Sequence, residues 1–347
     1  MFSVAVVEPG KVNLIKVHEP VPGPYEVKVK TELAALCNAT DRKLIEGHFP
    51  GVEKYPLLLG HESVGRVIEV GDKVRNFKLG DRVIGGLILN PENVDYNSGW
   101  GGFSEYTLAV DHKAMVEDGI ADKKHGWEEV NEIQTKVTDE IPVEAAVLLC
   151  TWREVYAGLD DFEIKGNKGM KNILIFGAGP VGLSFLKFLK ILGIPFVGVV
   201  DPLESKREIA IHLGADKVFS PDKELKNIPV LLGKKLDAII DAVGNEGIIN
   251  TAISLIKTAG SICVYGVIDK PVIRINKSTG PYNFNLFFHQ WPTREREAAA
   301  QEPLIKWIKE GKLSHTEFVS AEFPISKINK AIELSRTGKT LKTLLRY

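Results

Sequence analysis

Two cysteines and one histidine, far apart along the chain, have side chains of the types that can bind zinc. Cys37 comes first, His61 lies within Gly60-His61-Glu62, and Cys150 follows much later. Two thiolates and an imidazole suit Zn²⁺, and three protein ligands leave a fourth position open, as in catalytic zinc sites. Each residue also has a structural explanation, because free cysteines are commonly inert core residues and a histidine beside a strand is commonly satisfied by its neighbours. The residues alone leave both interpretations open.

A glycine-rich motif predicts a dinucleotide site. Gly177-Ala-Gly-Pro-Val-Gly182 follows the apolar run Asn172 to Phe176 and precedes a predicted helix. Such glycines allow a tight turn, close approach of a pyrophosphate and close helix packing, and the phosphates lie at the helix N-terminus. Asp201 ends the next apolar run, where a carboxylate binds a ribose 2′-hydroxyl and repels a 2′-phosphate, which favours NAD over NADP. The predicted cofactor residues are Gly177, Gly179, Pro180, Val181, Gly182 and Asp201.

The elements that must position these residues change along the chain. Over roughly the first 110 residues, segments such as Ser63 to Val70 alternate apolar and polar residues between turns, which predicts an antiparallel, barrel-like β region. From about Lys171, apolar runs alternate with helical lengths, which predicts a parallel, doubly wound α/β sheet. After about Pro281 we expect a turn-rich aromatic piece, Phe284 to Trp291, and then two helices in a tail that returns to the first region.

Length, charge and cysteine content limit the class of protein. The chain has 347 residues, enough for two domains, and its 44 basic residues nearly balance its 45 acidic residues, which argues against nucleic acid as the main partner. No apolar run is long enough for a spanning helix, and the start of the chain reads as a strand, so we expect neither a membrane anchor nor a signal peptide. Three cysteines suit a reducing compartment, and we expect a cytoplasmic protein.

The ordered motifs identify a resemblance. The chain resembles the zinc-dependent medium-chain alcohol dehydrogenases, including the sorbitol and threonine dehydrogenase branch. The matching segments are Cys37 with Thr40-Asp41, Gly60-His-Glu-Ser-Val-Gly65, Gly80-Asp-Arg-Val83, Gly177-Ala-Gly-Pro-Val-Gly182 and His212-Leu-Gly-Ala-Asp216. The resemblance implies a GroES-like catalytic domain over 1–155, completed by 290–347, a Rossmann NAD-binding domain over 156–289, and an active site in the cleft between them.

The resemblance also assigns roles. Cys37, His61 and Cys150 match the ligands of the catalytic zinc, and Glu62 matches the acid that orients or transiently joins the metal. Thr40 is the candidate proton relay, with helix capping as its alternative role. Lys206 matches a lysine that contacts the adenosine ribose, although it also suits the solvated start of a helix. The implied reaction is hydride transfer between an alcohol and NAD.

Departures from the family pattern limit this assignment. One extra residue separates Cys37 from Asp41, Lys43 replaces a histidine that often ends the proton relay, and no cysteine lies between Gly86 and Gly101. We therefore expect one catalytic zinc and no structural zinc. Among the residues expected near the substrate are His48, Phe49, Arg153 and Glu154, whose mixed character suits a polyol or sugar-derived secondary alcohol, although packing explains each of them equally well.

Two other functions remain open on the sequence. A quinone or enoyl reductase of the same fold would use NADPH without metal, and a non-catalytic relative would bind NAD without turnover. Relatives are dimers or tetramers, so we expect a homo-oligomer. Apart from other copies of the chain, the expected partner is a small-molecule alcohol, and neither nucleic acid nor a membrane is expected.

Overall fold

The computed structural model describes the chain except residues 92–94, 222–227, 229–232, 234 and 269. It divides into two compact units. The first unit combines Met1–Thr151 with Glu297–Tyr347, and the second comprises Trp152–Arg296. In the described part of the chain, every helix is too short or too polar to cross a membrane.

The strands of the described residues are numbered here in chain order. They are β1 Phe2–Glu8, β2 Lys11–Lys16, β3 Glu26–Ala35, β4 Leu57–Leu58, β5 Ser63–Val70, β6 Arg82–Ile84, β7 Asn97–Ser98, β8 Tyr106–Val110, β9 Thr135–Lys136, β10 Asn172–Phe176, β11 Phe196–Val200, β12 Lys217–Phe219, β13 Leu236–Asp241, β14 Ile256–Val264, β15 Asn285–Phe288, β16 Val319–Pro324 and β17 Lys342–Arg346.

The α-helices of the described residues are numbered in the same way. They are α1 Thr40–Glu46, α2 His112–Glu117, α3 Val143–Asp161, α4 Pro180–Ile191, α5 Glu204–His212, α6 Glu246–Leu255, α7 Arg294–Ala299, α8 Gln301–Lys309 and α9 Ile328–Arg336. Single turns of 3₁₀-helix lie at Lys123–His125, Glu129–Ile133, Lys277–Thr279, His315–Glu317 and Ile325–Lys327.

The first unit is built on two sheets. One has the order β16-β17-β3-β5-β6-β9, with β8 paired to β3, and the other has the order β2-β1-β4-β7. Strand β3 pairs antiparallel with β5, β8 and β17, so the last strand of the chain joins the first region. An apolar cluster that includes Leu44, Leu57, Leu59 and Phe103 packs beneath α1 and β4. This arrangement confirms the GroES-like fold predicted for the first region.

The second unit contains a parallel sheet of order β12-β11-β10-β13-β14-β15. Strands β10 and β11 pair in register from Asn172 with Phe196 to Phe176 with Val200, so their carboxyl ends lie side by side. Helix α4 is buried along Leu183, Phe185 and Leu186 against this sheet. The parallel α/β sheet predicted from the alternating runs is confirmed, and with it the Rossmann class that the resemblance implies.

One local prediction was wrong. Phe284 to Trp291 was expected to be a turn-rich interruption, but Asn285–Phe288 forms β15, which pairs in parallel with β14 and extends the sheet. The strand is short and half exposed at the sheet edge, so it lacks the continuous apolar pattern of a buried parallel strand. Pairing with Ser261 to Val264 of β14 holds this segment as a strand, which its local sequence does not indicate.

Candidate metal centre and dinucleotide site

Three possible metal ligands converge in the first unit. Cys37 follows β3, and His61 and Glu62 lie just before β5. Each offers one ligand atom, and these atoms all lie within 4.8 Å of one another. Strands β3 and β5 pair antiparallel, with Ala34 opposite Ser63, so residues that follow one strand meet residues that precede the other. The sheet register therefore creates the cluster.

Asp41 positions both neighbouring residues of this cluster. Its Oδ2 accepts a hydrogen bond of 2.8 Å from the backbone N–H of Cys37. Its Oδ1 lies 3.2 Å from His61 Nδ1, but the angle does not make a hydrogen bond, and both atoms are buried without one. The other ring nitrogen, Nε2, lies 3.8 Å from Glu62 Oε1. A carboxylate behind one ring nitrogen, with the other facing the donor cluster, is the usual arrangement of a metal-binding histidine.

The cluster shifts the pKa values of Cys37 and His61 in opposite directions. Burial raises the pKa of Cys37, but the close contact and positive charge of His61 outweigh burial, so the pKa is lowered. Burial lowers the pKa of His61, but the charge and contact of Asp41, followed by those of Cys37, raise it well above its ordinary value. Each of the two groups therefore favours the charged form of the other.

Glu62 is held by a lysine from the far end of the chain. Both carboxylate oxygens accept hydrogen bonds from Lys342 Nζ, at 2.6 and 2.5 Å, and both side chains are 4% exposed. Burial lowers the pKa of Lys342, but the charge of Glu62 outweighs burial and the pKa is raised. A buried pair of this kind neutralises the carboxylate next to the cluster.

The donor set fits a zinc ion. A thiol with a lowered pKa, an imidazole backed by a carboxylate and an adjacent carboxylate are the donors that zinc sites use. Cys150 lies on α3, is 8% exposed, and its Sγ is 3.8 Å from the carbonyl oxygen of Ser63, the residue after Glu62. It does not belong to the group whose ligand atoms all lie within 4.8 Å.

Thr40 is the first residue of α1. The N-cap position is Ala39, which makes no side-chain capping bond, so the hydroxyl of Thr40 does not cap the helix. Thr40 is 9% exposed and its hydroxyl has no hydrogen bond to another described residue. The extra residue after Cys37 is accommodated by the start of the helix, where the Asp41 N–H donates to the Cys37 carbonyl oxygen.

The residues expected near the substrate fall in both units. In the first, His48 and Phe49 follow α1; His48 is exposed and Phe49 is half-buried, and the Phe49 ring packs edge-on against Trp100 with centroids 5.6 Å apart. In the second, Arg153 on α3 is fully buried, and Glu154 Oε1 lies 3.8 Å from Arg294 Nη1.

The predicted dinucleotide motif forms a tight turn in the second unit. Gly177 has φ +96°, and a Cβ at Gly182 would lie 1.9 Å from the Gly177 carbonyl oxygen, so helix and strand approach too closely for a side chain there. A Cβ at Gly179 would contact nothing within 4 Å, and Gly179 is the N-cap of α4, with Pro180 and Val181 in its first turn. The open space and unpaired helical N–H groups suit a phosphate.

Asp201 supports this turn from the end of β11. Its Oδ2 accepts a hydrogen bond of 2.8 Å from Ala178 N–H, and its Oδ1 accepts one of 2.9 Å from Leu203 N–H. Lys206 is 4% exposed, and burial lowers its pKa although Asp201 opposes the shift. The Arg207 guanidinium donates to the carbonyl oxygens of Asp201 and Pro202.

Two residues of the metal centre had no assigned role in the sequence. Asp41 was seen only as part of a motif, although an acid four residues after a cysteine is a signal that a helix start could bring back to it. Lys342 gives no local signal, because 280 residues separate it from Glu62. Only the antiparallel pairing of β17 with β3 brings it to the cluster.

Comparison with known proteins identifies both regions. Residues 23–118 match the family described as alcohol dehydrogenase GroES-like domain, and residues 180–290 match the zinc-binding dehydrogenase family. A sorbitol dehydrogenase from Bombyx mori is 26% identical over 96% of this chain and 95% of its own length. An Aralia cordata protein named "Probable cinnamyl alcohol dehydrogenase 1" is 32% identical over 72% of this chain and 69% of its own.

The fold is also found among solved structures. The crystal structure of an Escherichia coli CFT073 protein described as a short chain alcohol dehydrogenase (rspB), complexed with NADH, superposes with a TM-score of 0.80. The alignment covers 100% of this chain and 99% of that chain, at 22% identity.

Proposed function

Because this chain belongs to the zinc-dependent medium-chain alcohol dehydrogenase family, we propose that it transfers a hydride between a secondary alcohol, of the polyol or sugar-derived class, and NAD. The observation that carries the proposal is the cluster of half-buried Cys37 and His61 with buried Glu62, in a chain that also has a glycine-rich dinucleotide turn. The Bombyx mori relative is a sorbitol dehydrogenase, which supports a polyol as the substrate.

One zinc ion per chain is proposed, held by Cys37, His61 and Cys150. When bound, zinc supplies a Lewis acid that lowers the pKa of an alcohol hydroxyl. Asp41 orients His61 and, through the Cys37 N–H, also fixes the loop that carries the thiolate. Glu62 stays beside the cluster as a carboxylate held by Lys342. No structural zinc is proposed, because no cysteine lies between Gly86 and Gly101.

Thr40 is proposed to carry the proton away from the alcohol. Its hydroxyl is buried and follows the Cys37 loop directly, and it makes no competing hydrogen bond to a described residue. A hydroxyl can accept one proton while it donates another, which a relay requires.

The second unit is proposed to bind NAD in preference to NADP. Gly177, Gly179, Pro180, Val181 and Gly182 form the phosphate turn, and Asp201 lies at the end of the neighbouring strand, with Lys206 buried behind it. A 2′-phosphate would meet the negative charge of Asp201, and Arg207 is already engaged with two carbonyl oxygens.

His48, Phe49, Arg153 and Glu154 are retained as candidate substrate residues, and a homodimer or homotetramer is proposed for the assembly. In the second unit β15 ends the described sheet, and its outer edge can pair with the same strand of another copy.

The function is tested by a screen of the purified, zinc-loaded protein. NAD and NADP are each supplied with polyols, sugar acids and simple secondary alcohols, and the absorbance of the reduced nicotinamide is followed. We expect turnover with NAD and a polyol-type secondary alcohol. Reduction of quinones or enoyl compounds by NADPH, with no alcohol oxidised, would replace this function with a reductase.

A further inference from the structure

The loop after Cys37 carries a polar side chain, Asn38, that has no part in the proposed chemistry. Asn38 and Ala39 form a turn between β3 and α1, in which Asn38 is half-buried and Ala39 is exposed. The same turn contains the extra residue that separates Cys37 from Asp41. Because Cys37 is a proposed zinc ligand, whatever holds this turn also fixes the residue that carries the thiol.

The Asn38 side chain bonds to a residue near the other end of the chain. Its Nδ2 donates a hydrogen bond of 3.0 Å to the carbonyl oxygen of Leu341, 303 residues further along. Only the amide nitrogen can donate to a carbonyl oxygen, so this bond fixes which way the amide is turned. Leu341 is itself held, because its N–H donates to Ser320 Oγ at 2.8 Å. The turn is thereby tied to a fixed point next to β17.

The other half of the amide has no partner. Asn38 Oδ1 is buried and makes no hydrogen bond to any residue that the structure describes. A buried acceptor without a donor costs free energy, so stability alone would not favour an amide at this position. A leucine has a similar size and would fill the space without that cost. What the amide positions explains it better than what it stabilises.

The segment that receives this bond also holds the acid of the metal cluster. Lys342 directly follows Leu341, and its Nζ donates to both carboxylate oxygens of Glu62. Two consecutive residues therefore hold two separate parts of the cluster, the loop that carries the thiol and the carboxylate. Because a trans peptide bond fixes the distance between consecutive Cα atoms, these two parts are tied to one short, rigid piece of chain.

We propose that Asn38 is a positioning residue of the metal centre, whose amide ties the Cys37 loop to Leu341 and so sets where the thiolate meets the ion. This inference rests on the proposed function, because it needs the zinc site. Asp41 already fixes the backbone N–H of Cys37, and Asn38 supplies a second tie, from the loop to the last strand. Ala39, the N-cap of α1, adds no side-chain capping bond.

The test compares zinc affinity with the stability of the metal-free chain. Asn38→Leu keeps a side chain of similar size and removes both polar groups. We expect its zinc dissociation constant, measured by competition with a chelator at constant pH, to rise at least about tenfold. In the cobalt-loaded variant, the thiolate-to-cobalt absorption band should shift or weaken, because the sulfur is no longer held in place. The urea midpoint of the metal-free variant should stay at the wild-type value or rise, since the unpaired acceptor is gone.

Asn97→Leu is the matched control. Asn97 also lies in the first unit, and its Nδ2 also donates to a backbone carbonyl oxygen, that of Pro56, at 3.1 Å. It is exposed and does not belong to the metal cluster, so this variant should keep the zinc affinity and the cobalt spectrum of the wild type. Unchanged zinc affinity in Asn38→Leu, or an equal loss in Asn97→Leu, would overturn the proposal. A lower urea midpoint together with weaker zinc binding would also overturn it, because the amide would then act through stability.

These measurements do not require that an alcohol is oxidised. A chain that binds zinc but oxidises no alcohol would contradict the proposed function, and the comparison of Asn38→Leu with the wild type would still decide this inference. If Asn38→Leu does not fold, the same measurements on Asn38→Ala decide, since alanine removes the same two polar groups and adds no bulk.

Discussion

His61 lies between the Asp41 carboxylate and the Cys37 thiol. A metal ion that binds the His61 imidazole must therefore displace a proton from it. Asp41 is 3.2 Å from its Nδ1, and Cys37 lies on the side of the metal cluster. Both raise the pKa of His61 against the effect of burial. A metal ion needs the imidazole neutral, so zinc replaces a proton where zinc and the proton compete for the same nitrogen.

Zinc affinity should therefore depend on pH. As the pH falls through the raised pKa of His61, the imidazole is protonated and the affinity falls; as the pH rises, the affinity increases by about tenfold per pH unit for each proton released. Competition with a chelator of known affinity over a pH series measures this slope. His112→Gln, outside the cluster, is the control and should keep the slope. An affinity that does not change with pH would show that His61 is not a ligand.

The hydroxyl of Thr40 can be tested without disturbing the metal. Thr40→Val keeps the shape of the side chain but removes the hydroxyl, so turnover should fall about a hundredfold while the zinc content stays the same. Thr40→Ser restores a hydroxyl and should recover most of the rate. Steady-state kinetics and metal analysis on the same preparations measure both quantities. Normal turnover in Thr40→Val would place the proton route elsewhere.

At the scale of elements, the antiparallel pairing of β17 with β3 brings Lys342 to Glu62. Lys342→Met leaves a buried carboxylate without its partner, so the free energy of unfolding should fall by about 3–5 kcal/mol. The double variant with Glu62→Gln should lose less than Lys342→Met alone, because no charge is then left unpaired. Urea unfolding of the metal-free proteins measures these changes.

An exposed ion pair in the same unit is the control for this cycle. Lys11 Nζ lies 3.2 Å from Glu8 Oε1, and the two side chains are 60% and 65% exposed. Lys11→Met should cost less than about 1 kcal/mol, since exposed pairs contribute little. Equal costs for Lys342→Met and Lys11→Met would mean that the Glu62 pair is not desolvated.

Two glycines of the β10 to α4 turn should respond differently to alanine. Gly182→Ala places a Cβ 1.9 Å from the Gly177 carbonyl oxygen, and such overpacking should lower the free energy of unfolding by about 1–3 kcal/mol. Gly179→Ala meets no atom within 4 Å, so its stability should stay close to the wild type while NAD binding weakens. Thermal unfolding and calorimetric titration with NAD separate the two effects. Unweakened NAD binding in Gly179→Ala would place the phosphates elsewhere.

Across the whole chain, the sequence predicts individual strands better than the long-range pairings that join them into sheets. Ser63–Val70 and Asn172–Phe176 have the predicted bounds, because period-two alternation and a continuous apolar run are local signals. The sequence did not predict edge strand β15, because this segment forms a strand through its pairing with β14. The Lys342 contact depends on pairing of the last strand with β3, and a single sequence does not reveal that pairing.

In the candidate site, too, the sequence predicts some residues and misses others that only the fold brings in. The sequence indicated Cys37, His61 and Glu62 as neighbours of a metal, and the structure gathers these three. The role of Cys150 stays a prediction, because its thiol lies near the Ser63 carbonyl oxygen and outside the group of three ligand atoms.

Zinc content of cysteine variants tests the central claim most directly. Wild type, Cys37→Ser, Cys150→Ser and Cys263→Ser are purified in parallel, and elemental analysis is combined with the rate of alcohol oxidation by NAD. Cys263 is a free, buried thiol on β14 in the other unit, so it controls for the loss of a cysteine. We predict about one zinc per chain and full activity in the wild type and Cys263→Ser, with zinc and activity both lost in Cys37→Ser and Cys150→Ser. Full zinc content and activity in Cys37→Ser and Cys150→Ser would contradict the account.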